Sequence, residues 1–89
     1  MKEKIKNDYK ELIALYNCYM ELHNSALQHE VSICGKMALY ERMRVILDSN
    51  EVFPIIMAGA PNALEDYIHN VKEDTPVFIE KIRQWLEQS

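Results

Sequence analysis

The side chains best suited to chemistry in this sequence belong to three histidines and two cysteines. No histidine has another histidine or a cysteine three or four residues away, the spacing that a metal site on a single helix requires. His29 and Cys34 are five residues apart, so a helix would place them on different faces. We therefore expect neither a metal site nor a cofactor. The five residues are Cys18, His23, His29, Cys34 and His69.

The start of the chain and its longest apolar run bear on its location. Residues 1–11, MKEKIKNDYKE, are charged throughout and lack the apolar core of a secretory signal. The run over 52–60 is too short to span a membrane. We expect a cytoplasmic protein with no membrane association, in which both cysteines stay reduced. If the chain reverses near Asn24, Cys18 and Cys34 could approach each other across a helix hairpin.

The sequence offers little for catalysis. An active site needs acids, bases or nucleophiles held together in a cleft that excludes water, and a chain of 89 residues has little room for one. Its only glycines, Gly35 and Gly59, are too few for a phosphate-binding loop. We expect a protein that is not an enzyme; the alternative is a minimal enzyme that uses His29 or Glu30.

The charge pattern disfavours nucleic acid as a partner. The net charge is −4, with 14 acidic and 10 basic residues interleaved along the chain, whereas phosphate contacts need clustered basic residues. Interleaved charges are typical of solvated helix faces. The contacts available to the disfavoured nucleic-acid interface would be the lysines of 2–10, or Lys36, Arg42 and Arg44.

Helices are the elements that must position these residues. The apolar residues of the first segment recur at spacings of four and three, which predicts a helix over 4–23 that packs on another helix. Asn24 and a capping box of Ser25 and Gln28 predict its end. The alternative is one continuous helix over 3–49. The apolar residues at this spacing are Ile5, Tyr9, Leu12, Tyr16 and Tyr19.

A second helix is predicted over 26–49, and its apolar residues change face near Gly35. The first stripe is Leu27, Val31, Cys34 and Ala38. The second stripe is Leu39, Tyr40, Met43, Ile46 and Leu47. A glycine inside a helix costs about 1 kcal/mol relative to alanine, so we expect a neighbouring backbone close to Gly35, or a kink. Two stripes on opposite sides predict a central helix with different neighbours at its two ends.

The next segment combines a short turn with a third helix. Pro54 permits at most a helix that starts there, which predicts a short, mostly buried helical turn over 54–58. Asn62 and Glu65 form a capping box that begins a helix over 62–73.

Thr75 and Pro76 form a strong start signal for the last helix, predicted over 76–88. Thr75 would be the N-cap, and Pro76 would occupy the first helical position. The chain is thus predicted to be one domain, 1–89, of the all-α class. Its architecture would be a compact antiparallel helical bundle of four main helices plus a short helical turn.

The surplus of tyrosine and methionine points to protein–protein interaction. A core this thin cannot hide five tyrosines and five methionines easily, and interfaces favour both types. We predict a non-catalytic interaction module, a small acidic regulator or inhibitor that docks a helix face onto a larger protein or onto itself as a homodimer. For each residue of that face, the alternative is a place in the core. The predicted interface is Tyr9, Tyr16, Tyr19, Met20, Met37, Tyr40 and Met43.

A second hypothesis belongs to a different functional class. It is a small-ligand sensor with a pocket between the helices. The residues expected near that pocket are Tyr16, Tyr19, Tyr40 and Trp85.

Overall fold

The computed structural model describes residues 2–24, 30–56 and 67–88, and within those ranges it contains helices and turns but no strand. The all-α prediction is confirmed. The elements are α1 (Lys2–His23), α2 (Glu30–Leu47), α3 (Val52–Ile56), a 3₁₀ turn (Tyr67–His69) and α4 (Val71–Gln88).

The first two helices form an antiparallel pair. Glu11, in the first half of α1, accepts a 2.7 Å hydrogen bond from Arg42, near the end of α2. Leu22, at the other end of α1, lies beside Gly35 in the first half of α2. The continuous helix over 3–49 is therefore wrong. The predicted end of the first helix is right, since Asn24 closes it with a 2.9 Å bond from its N–H to the Met20 carbonyl.

Gly35 lies where the two helices are close together. A methyl group added at Gly35 would lie 3.0 Å from Leu22 Cδ1. The close neighbour that we expected is thus a side chain rather than a backbone, and α2 continues as a helix through the glycine. The capping box of Ser25 and Gln28 lies outside the described residues, as do Leu27 and His29.

Polar side chains hold the turn between α2 and α3. Asn50 Oδ1 accepts hydrogen bonds from the backbone N–H groups of Val52 (2.9 Å) and Phe53 (2.8 Å), which makes Asn50 the N-cap of α3. Asp8 of α1 accepts 3.2 Å bonds from Ser49 Oγ and Asn50 Nδ2. The short helical turn predicted over 54–58 is thus present as α3, with its start shifted to Val52. The prediction that this turn is mostly buried is wrong, because Phe53 is buried but Pro54 is exposed and Ile55 is 73% exposed. Positions 57 and 58 lie outside the described residues.

The predicted boundary between the last two helices is wrong. α4 begins at Val71 and runs unbroken to Gln88, so Thr75 and Pro76 lie inside it rather than at its start. The chain before it is a 3₁₀ turn followed by Asn70, whose carbonyl accepts a 2.7 Å bond from Asp74 N–H. A helix over 62–73 is therefore not formed at positions 67–70. Positions 62–66, including the capping box of Asn62 and Glu65, lie outside the described residues.

Tertiary hydrogen bonds explain why α4 continues through its proline. Pro76 has no N–H to offer the Lys72 carbonyl four residues earlier, and the Tyr16 hydroxyl of α1 donates to that carbonyl instead, at 2.9 Å. Thr75 is fully buried and donates from Oγ1 to the Val71 carbonyl at 2.6 Å. A capping threonine would be at the surface, so the start signal in the sequence is overridden by contacts with other elements.

One apolar core joins all of these elements. The Cα atoms extend 18 Å along the thinnest dimension of the molecule, which corresponds to about two layers of packed helices. Each long helix can therefore bury one face and must expose another. The core residues are Ile5, Leu12, Tyr40, Met43, Ile46, Leu47, Phe53, Tyr67, Val71, Phe78 and Ile82.

Candidate functional site

The seven residues predicted for a partner interface have three kinds of environment. Met43 is fully buried and Tyr40 is 7% exposed, so both belong to the core and neither offers a surface to a partner. They lie on the inward stripe of α2, which packs against the rest of the core. Met37 is exposed. The remaining four, on α1, are half-buried: Tyr9, Tyr16, Tyr19 and Met20.

The structure brings several tyrosines together at the junction of α1, α2 and the start of α4. The Tyr40 and Tyr67 rings are 5.5 Å apart, and Tyr67 and Phe78 are 5.6 Å apart. Burial raises the pKa of Tyr67 to about 12. Burial, and then the nearby Glu73 carboxylate, also raise the pKa of Tyr16. This end of the molecule therefore favours neutral phenol groups.

The hydroxyls of this tyrosine cluster are already occupied by partners within the chain. Tyr67 bonds to Thr75 Oγ1 at 2.6 Å, and Tyr40 accepts from Arg44 at 3.1 Å. Tyr16 donates to the Lys72 carbonyl. No buried side-chain nitrogen or oxygen of the described residues lacks a hydrogen-bond partner. The cluster thus has few free groups with which to recognise a small ligand.

Trp85 does not complete the pocket expected between the helices. Tyr16 contacts α4 at Lys72, and Trp85 is 13 residues further along the same helix. At 1.5 Å per residue, this separation is about 20 Å. Tyr16 and Trp85 therefore lie toward opposite ends of α4, and the four residues of the ligand-sensor hypothesis do not share one site.

The structure describes all of the histidines and cysteines except His29. His23 Nδ1 lies 3.3 Å from Lys36 Nζ and its ring stacks on Tyr19, with the centroids 6.3 Å apart. Cys18 and Cys34 are both free and exposed, so the hairpin does not join them. Within the described ranges, no three His, Cys, Asp or Glu residues are placed to hold a metal ion.

The outward face of α2 is a second region of interest. We define the outer stripe of α2 as Cys34, Ala38, Glu41, Val45 and Asp48, all of which are exposed. Their spacing is 4-3-4-3, which places them on one face of the helix. Val45 is 56% exposed, and Met37 beside the stripe is 40% exposed. The sequence led us to expect a covering neighbour over Cys34 and Ala38, whereas both residues are exposed.

An open depression lies at the carboxyl-terminal end of the outer stripe. Its lining is Glu41, Arg44, Val45, Asp48 and Ser49. Arg44 is directed partly toward its own chain, with Nη1 3.1 Å from Tyr40 Oη and Nε 3.9 Å from Asp48 Oδ2. Glu41 forms no ion pair with any described residue. The depression thus combines an apolar side chain with an excess of negative charge.

Sequence reasoning found only part of this surface. It selected Met37 directly, and it placed Cys34 and Ala38 on a stripe of their own. It missed Val45 as a surface residue, because a search for apolar periodicity does not extend a stripe through Glu41. No local signal marks Val45 as exposed, because residues on every face of a helix have a 4-3 spacing when polarity is disregarded.

Two further observations do not concern a single site. Within the described ranges, no helix combines the length and the apolarity needed to cross a membrane. Comparisons with protein-family models, with curated proteins and with solved structures found no match to this chain.

Proposed function

We propose that this chain is a non-catalytic protein–protein interaction module, a small acidic regulator or inhibitor that docks the outer stripe of α2 onto a larger protein partner. The observation that carries the proposal is the exposure of Met37 and Val45 on one side of α2. These two side chains continue the line of the exposed Cys34 and Ala38. Contiguous exposed apolar surface with a polar rim is characteristic of interaction sites.

The outer stripe suits a docking role because the fold does not need it. α2 already buries Tyr40, Met43 and Leu47 in the core through its opposite face. The outward side chains can therefore be covered by a partner without rearrangement of the core. A preformed, rigid helix face also lowers the entropic cost of binding.

The proposed surface differs from the one that the sequence suggested. Of the seven predicted residues, Met37 is exposed beside the outer stripe, whereas Tyr40 and Met43 are core residues. The half-buried tyrosines of α1 support the fold through contacts such as the bond from Tyr16 to Lys72. A ligand pocket among them has less support, because several of these hydroxyls already have partners within the chain.

Two valines permit a matched test of the docking surface. Val45 and Val77 are 56% and 50% exposed, so an aspartate at either position should leave the fold intact. Val45 belongs to the outer stripe, and Val77 lies on α4. The wild type, Val45→Asp and Val77→Asp would each be immobilised and used to capture proteins from a lysate of the source cells, with quantification by mass spectrometry.

We expect the wild type and Val77→Asp to enrich one protein that Val45→Asp does not capture. The circular dichroism spectrum of Val45→Asp should match that of the wild type. Equal enrichment by all three proteins would show that the outer stripe does not mediate binding. Light scattering on the three purified proteins in solution would separate partner binding from self-association. A dimer that Val45→Asp dissociates and Val77→Asp does not would make a second copy the occupant.

A further inference from the structure

We draw no further inference here: the strongest candidate, the exposed outer stripe of α2 with the open depression beside Val45, belongs to the docking surface already proposed, and nothing in the structure shows what covers it.

Discussion

The two faces of α2 differ both in their neighbours and in their polarity. The inward face buries Tyr40, Met43 and Leu47 against the other elements. The outward face carries Met37 and Val45, and both are exposed. Hydrophobicity alone did not decide which face would be buried. The central position predicted for the second helix belongs to α1, which packs on both α2 and α4. α2 has its neighbours on one side and presents the other to solvent or to a partner.

This contrast indicates that different residues of α2 determine stability and binding. A substitution on the inward face should change the free energy of unfolding, whereas one on the outward face should change association alone. The predictions that follow test this separation, beginning with the largest expected effect.

Met43 and Met37 give the most direct comparison, because the same residue type occurs on both faces. Met43→Ala would open a cavity in the core and should lower the free energy of unfolding by about 2–5 kcal/mol. Met37→Ala should change it by less than about 0.5 kcal/mol, as expected at an exposed position. Urea denaturation followed by circular dichroism measures both. Similar losses for the two variants would mean that the faces are not distinct.

The stability of the inward region should fall in alkaline solution because Tyr67 is buried. Its pKa is raised from 10.0 in the unfolded chain to about 12 in the fold. Below pH 10 the phenol is neutral in both states, so its full contribution is present. Between pH 10 and pH 12 the unfolded chain loses the proton first, which favours unfolding by about 2–3 kcal/mol at the end of the range.

Tyr67→Phe provides the control for this pH dependence. The variant should be less stable at neutral pH, by about 1 kcal/mol, because it loses the bond to Thr75. It should also lose less stability than the wild type between pH 10 and pH 12. If stability fell equally with pH in the two proteins, the alkaline loss could not be attributed to Tyr67. Tyr16 and Tyr19, whose pKa values are also raised, contribute any residual slope.

Tyr16 tests how the tertiary structure supports α4 at Pro76. Tyr16→Phe removes the donor to the Lys72 carbonyl and should cost about 0.5–1.5 kcal/mol. Pro76→Ala restores an N–H that can bond to the same carbonyl within the helix. In the Pro76→Ala background, Tyr16→Phe should therefore cost less. A double-mutant cycle in urea measures the coupling, and strict additivity would show that the two groups act independently.

Gly35 should give the smallest effect. Gly35→Ala gains about 1 kcal/mol of helix propensity, but its methyl group would lie 3.0 Å from Leu22 Cδ1. Because that atom is the end of a flexible side chain, we expect it to move by a few tenths of an ångström and the net gain to be about 0.5 kcal/mol. Thermal unfolding would show whether the variant melts at a higher or a lower temperature than the wild type. A clear loss of stability would show that the two helices cannot separate at this point.

Local patterns of residues predict the helical class and much of the inward surface. The 3.6-residue period identified α1, and Asn24 marked its end correctly. The same period placed Met43 and Leu47 on one stripe of α2, and that stripe is buried. These features follow from local periodicity and from turn preferences, which act within a few residues and can be read from one segment at a time.

Contacts between distant segments determine where α4 begins and which apolar residues stay exposed. Pro76 lies inside α4, where Tyr16, which is 56 residues before Lys72, bonds to the Lys72 carbonyl, and no local signal contains that contact. Likewise, Cys34 and Ala38 belong to an apolar stripe in the sequence, but both are exposed. A helix carries two faces in its sequence, and the number of neighbours that the rest of the chain supplies determines which face is buried.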